Sequence, residues 1–146
     1  MEWLKDEIPG ASVLDLFAGT GALGLEALSR GAASVDFVEK GPEALHALKA
    51  NRAKLRATPR SRLFKKDVFA FLEGIPDTRY DLAFADPPYT SSAALRLVER
   101  WHQQPFSAVL SLEHAREVIL PGKGTRRVHE DSAITIYRAN LKPEES

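Results

Sequence analysis

Strand and helix signals alternate through the first 112 residues of this 146-residue chain, which predicts an α/β fold with a mainly parallel sheet. Two further observations sharpen that prediction. A glycine-rich turn, Gly19-Thr20-Gly21-Ala22-Leu23-Gly24, follows the first apolar run, the position at which open parallel sheets bind ligands. The last two β-type runs have no helix between them, so they are expected to close the sheet as an antiparallel hairpin.

Each element has its own signal. Met1–Glu7, with Trp3 and Leu4 ahead of Pro9-Gly10, reads as a helix. Ser12–Phe17 is an apolar run that ends in the glycine turn, the mark of a buried strand. Ala22–Ser29 carries Leu23, Leu25 and Leu28 and is stopped by Gly31, as a helix C-terminus is. Ser34–Glu39 is a second strand. Gly41-Pro42 opens a long helix, with proline in the first turn and Leu45, Leu48 and Leu55 at helical spacing. Arg62–Lys65 is a short third strand, and Val68–Glu73 a short helix ended by Gly74 and Pro76. Tyr80–Ala85 is a fourth strand, halted by Pro87-Pro88. Ala93–His102 is a helix and Ser107–Leu112 a fifth strand. Arg126–His129 and Ala133–Arg138 form the closing hairpin about Asp131-Ser132.

Composition excludes several classes. The length is that of one domain. There is no cysteine, so neither a disulfide framework nor a thiolate metal site can form. His46, His102, His114 and His129 lack zinc-ligand spacing, so no metal site is expected and they read as surface or packing residues. No apolar run reaches the ~20 residues of a membrane helix, and no signal-peptide layout opens the chain. The expectation is a soluble cytoplasmic protein with no membrane partner. Lys+Arg 20 balance Asp+Glu 20, but the eight basic residues of 49–66 are interrupted by no acid. Lys49, Arg52 and Arg56 at helical spacing read first as a solvated face and second as a phosphate-binding patch. Lys123, Arg126 and Arg127 are a smaller candidate patch, while Trp101 and Phe106 read as core.

Two constellations carry chemistry. Gly19, Gly21 and Gly24 satisfy G-x-G-x-x-G, and Glu39 ends the next strand, where an acid can hold ribose hydroxyls. Asp15, four residues before Gly19, suits a cofactor with a positive amino group and would repel a pyrophosphate. The second is Asp86-Pro87-Pro88-Tyr89. Its prolines lock the backbone, Pro87 offers no N–H, and the turn therefore presents mainly acceptors. With the ring of Tyr89 for stacking, it suits an exocyclic amine on a flat base.

Asp15–Ala32, Val38–Lys40 and Asp86–Tyr89 resemble the class I S-adenosylmethionine-dependent methyltransferases. More narrowly, they resemble the bacterial 16S rRNA guanine-N2 methyltransferase family of the RsmD type. The resemblance implies a Rossmann-like fold with a seven-stranded sheet, S-adenosylmethionine as cofactor, and methyl transfer to a guanine N2 of 16S rRNA. Residue by residue, it implies that Asp15, Gly19 and Gly21 line the methionine part of the cofactor while Phe17 and Ala18 shape the loop. Glu39 would hold the ribose, Lys40 flank the adenine, and Asp67 and the Val68 N–H meet the adenine edge. Asp86, Pro87, Pro88 and Tyr89 would hold the target base. The partner is then 16S rRNA or the small ribosomal subunit, met by a monomer. Members also carry an Arg-rich N-terminal RNA-binding segment ahead of the Trp3-Leu4 region, so residues 1–146 are expected to be the catalytic domain without it. The rival readings are N6-adenine methylation of DNA or RNA, and a cofactor-binding fragment with little activity. An NAD-dependent oxidoreductase satisfies the glycine spacing but is opposed by Asp15 and by the Asp86–Tyr89 turn.

Overall fold

The computed structural model describes residues 1–89 and 92–139. Its seven strands are β1 (Ser12–Leu16), β2 (Ser34–Val38), β3 (Ser61–Phe64), β4 (Tyr80–Ala85), β5 (Ser107–Ala115), β6 (Thr125–Val128) and β7 (Ser132–Arg138). The helices are α1 (Ala22–Ser29), α2 (Pro42–Lys54), α3 (Val68–Leu72) and α4 (Ala93–Gln103). One sheet joins all seven strands in the order β3-β2-β1-β4-β5-β7-β6. The first five in that order run parallel, and β7 is antiparallel to both β5 and β6. The closing hairpin is therefore present, with β7 inserted beside β5 and β6 left as the edge.

Both faces of the parallel part are covered, which is why its strands are apolar almost without alternation. Leu25, Leu28, Leu45 and Leu48 of α1 and α2 pack with Leu4, Ile8, Val13, Phe37 and Phe84 on one face. Val68, Phe71, Leu97 and Trp101 of α3 and α4 pack with Leu14, Leu16, Leu110 and Leu112 on the other. Trp101 and Phe106 are core residues, as read from the sequence.

The N-terminal segment departs from expectation. Only Glu2–Leu4 is helical, as a 3-10 turn, and its bonds run three residues back: Leu4 N–H to Met1 O, Lys5 N–H to Glu2 O. A first turn of α-helix fixes several residues for one bond, so a short stretch is easily diverted. Pro9 also biases Ile8 away from the α region. Burying Leu4 and Ile8 together in the core decides the local path.

Part of the basic block is absorbed by structure. Asp36 is buried on β2, where its two oxygens accept from Arg62 Nε at 3.0 Å and Nη2 at 2.8 Å, and the second also from the Tyr80 hydroxyl at 2.7 Å. Arg52 donates to the hydroxyl and carbonyl of Ser61, tying α2 to β3. Lys49, Lys54 and Arg56 remain on the exposed side of that edge. The second patch is also engaged: Arg126 donates to the Arg116 carbonyl and Arg127 lies over the Trp3 ring.

Candidate active site

The strand order reverses between β1 and β4: the chain winds outward through β2 and β3, then returns to β4 and β5 on the other side. A crevice opens at the carboxyl ends of the strands at such a switch point. The glycine loop after β1 and the proline turn after β4 flank it. Register aligns the residues that follow. Leu16 pairs with both Val38 and Ala85, and Ala85 with Leu112. Phe17, Glu39, Asp86 and Glu113, each one position further, therefore stand level along the edge.

The glycine loop is built by backbone geometry. Phe17 has φ 56, an uncommon conformation for a bulky residue and a strained one. Gly21 has φ 86, and a Cβ there would stand 2.2 Å from Leu48 Cδ1. Only glycine lets the start of α1 approach α2 so closely. Glu39 then fixes the loop from below, one oxygen accepting from Gly19 N–H and the other from Gly41 N–H, each at 2.8 Å. Each oxygen keeps a lone pair for a further donor.

Asp15 is buried at 2% exposure, and its Oδ2 accepts from Gly24 N–H at 3.0 Å in the first turn of α1. Burial pushes its carboxyl up to about 8, the Gly24 N–H opposing, and the Asp86 and Glu39 carboxylates adding to the rise. At neutral pH the carboxyl is then largely protonated, and a cation placed beside it would draw it toward its ionised form.

Across the edge, a cleft of about 500 Å³ is walled by Phe17, Glu39, Lys40, Asp67 and Val68, and also by Asp86 and Pro88. Asp67 caps α3: its Oδ2 accepts from the N–H groups of Phe69 and Ala70, leaving the Val68 N–H outside the cap. The Ala70 N–H, and with it the Lys40 ammonium 3.5 Å away, hold the Asp67 carboxyl below its usual range. Seven of the thirteen residues singled out in the sequence thus share one cavity. Asp15, Ala18, Gly19 and Gly21 are not among the residues that line it. Pro87 and Tyr89 line a smaller cavity of about 80 Å³ on the far side of the turn.

Other residues at the site carry no motif. Phe69 and Lys66 also line the cleft, and Arg96 of α4 lays its guanidinium 3.9 Å from the centre of the Phe69 ring. Glu113, two residues before the end of β5, lies close enough to the proline turn for its charge to act on the Tyr89 hydroxyl, which desolvation and that charge raise. Partial desolvation, and then the Glu113 charge, raise the Asp86 carboxyl. The sequence signal for Glu113 was weak: an acid on an otherwise apolar strand, visible only once the strand's neighbour is known. Among the described residues no cluster of metal-ligating side chains occurs.

With this geometry in place, comparison with known proteins is decisive. The family described as "Conserved hypothetical protein 95" matches residues 1–135. The chain belongs to that family. It is 35% identical over 117 residues to the "Putative rRNA methyltransferase YlbH" of Bacillus subtilis (strain 168), covering 77% of this chain and 64% of that protein. It is 40% identical over 89 residues to "Ribosomal RNA small subunit methyltransferase D" of Escherichia coli (strain K12), covering 60% of this chain and 43% of that one. The match thus covers 43% to 64% of these relatives' length. A solved structure, "Putative methyltransferase yhhF from Escherichia coli", superposes with a TM-score of 0.82 at 28% identity, over 97% of this chain and 82% of that one. The fold of this family member is the Rossmann-like methyltransferase fold.

Proposed function

We propose that this chain transfers a methyl group from S-adenosylmethionine to the exocyclic N2 of a guanine in 16S rRNA. The observation that carries the reading is the shared edge: a cofactor-sized cleft lined at one place by Asp86, the first residue of a turn that presents mainly acceptors. The fit to this cofactor rests on the donor set. A buried carboxyl at Asp15 suits an ammonium group, Glu39 has lone pairs left for ribose hydroxyls, and Asp67 with the Val68 N–H offers the acceptor and donor that an adenine edge requires. Bound there, the cofactor supplies an already activated methyl group.

The chain's own residues then have three tasks. Asp86 and the Pro87 carbonyl accept from the two N–H groups of the amine, which favours a pyramidal nitrogen and aims its lone pair. Tyr89, 47% exposed, offers a ring face to the base. Asp86 receives the proton that the nitrogen sheds on methylation, for which its raised pKa is suited. Positioning supplies most of the rate. A base inside folded RNA has to be turned out to reach this turn. All these groups lie on one chain, so a monomer suffices, and the partner is the small-subunit RNA or particle.

The test is transfer of labelled methyl from the cofactor to 30S subunits, naked 16S RNA and duplex DNA, followed by nucleoside analysis. N2-methylguanosine is the expected product. N6-methyladenine would replace the reading, and binding of cofactor without any transfer would reduce the chain to a binding fragment.

A further inference from the structure

Asp86 and Glu113 are neighbours in a way the turn motif does not reveal. Ala85, the last residue of β4, pairs with Leu112 in parallel register, so Asp86, the first residue beyond the strand, comes level with Glu113 of β5 at the same sheet edge. Leu112 points into the core on the α3 and α4 side, so Glu113 points to the other face of β5, where it lines a small cavity with Phe84, Ala85 and Ser111, and its charge reaches Asp86 at the strand end. Glu113 is half-buried and, like Asp86, forms no ion pair among the described residues. Its charge acts on both Asp86 and the Tyr89 hydroxyl, so it lies beside the same turn. Two adjacent carboxylates with no cation call for two adjacent donors.

We propose that Glu113 is the residue that selects guanine, accepting the ring N1–H while Asp86 holds the neighbouring N2 amine. The inference rests on the guanine-N2 reading above and names its specificity determinant. Guanine is the one common base whose exocyclic amine adjoins a ring N–H. Adenine and cytosine place a lone pair beside their amines, and a carboxylate facing a lone pair is repulsive. Uracil has the ring N–H but no amine to methylate. A site built to accept that proton therefore rejects the rivals by leaving a carboxylate without its donor.

The experiment separates selection from support. Small subunits are reconstituted with 16S RNA carrying either guanine or 2-aminopurine at the methylated position; 2-aminopurine keeps the amine and replaces N1–H by a lone pair. Wild type is expected to prefer guanine by at least about tenfold in kcat/KM. Glu113→Gln, whose amide can turn an N–H toward that lone pair, is expected to bring the preference within about threefold, with cofactor affinity by calorimetry unchanged. Tyr89→Phe, which removes the hydroxyl near Glu113 and Ser132 and keeps the ring, is expected to slow both substrates alike and keep the preference. An unchanged preference in Glu113→Gln overturns the proposal, because a carboxylate that merely braces Tyr89 moves both rates together. Wild type that methylates neither RNA overturns the guanine-N2 reading itself, and this inference with it.

Discussion

Glu39 accepts the Gly19 N–H at 2.8 Å while its other oxygen accepts the Gly41 N–H, so one carboxylate joins the loop after β1 to the start of α2. The side chain read from sequence as a ribose ligand is also the brace of the loop above it. Glu39→Ala should weaken S-adenosylmethionine binding by roughly 10- to 100-fold, as expected for a lost charged hydrogen bond. Calorimetry checks this, and a variant binding within twofold of wild type would show that the brace and the ligand contacts are both dispensable.

Asp15 gives a pH signature. Its folded pKa of about 8 lies above the ordinary 3.8, so between those values the folded state holds a proton that the unfolded state has released. Stability then falls as pH rises through that window and levels off above about 8. Asp15→Asn, which can still accept from Gly24 N–H, should stabilise the cofactor-free protein increasingly from pH 5 to pH 8. It should also weaken cofactor binding. Urea midpoints across pH read the first effect; a constant difference between variant and wild type would contradict it.

Gly21 and Gly74 make a matched pair. A Cβ at Gly21 would collide with Leu48 at a φ of 86, whereas one at Gly74 meets nothing within 4 Å. Gly21→Ala should destabilise by about 1–3 kcal/mol through overpacking alone. Gly74→Ala should stay within about 0.5 kcal/mol of wild type, as surface changes do. Chemical denaturation of the two variants decides.

Tyr80 donates to the buried Asp36 that also holds Arg62. Tyr80→Phe removes one donor from a buried carboxylate and should destabilise by about 1–3 kcal/mol. This cluster lies at the strand starts, away from the cleft, so cofactor affinity should be unchanged. A variant with intact stability would show that Arg62 alone satisfies Asp36.

What the sequence disclosed follows from how local each signal was. Glycines punctuate α1 on both sides, and its bounds Ala22–Ser29 are as read. Tyr80–Ala85 likewise ends at a proline turn, as read. Strand β5 extends to Ala115, beyond the expected Leu112, because Glu113, His114 and Ala115 pair with Ile134, Ala133 and Ser132 of β7, distant in sequence. No local pattern reports that pairing. The same distance hid Glu113, whose meaning depends on Asp86 in the neighbouring strand. The Arg62–Asp36 pair was hidden too, and it turns part of a basic block into fold cement. At the N-terminus a helical pattern existed, but core burial of Leu4 and Ile8 outweighed it.

The most direct measurement is methyl transfer by Asp86→Ala to small subunits, alongside its affinity for S-adenosylmethionine. Removing the acceptor that aims the amine should lower transfer by about 100-fold or more. Affinity should stay within about twofold, since Asp86 is assigned to the base. Near wild-type transfer by this variant would contradict the account, whatever else the edge residues do.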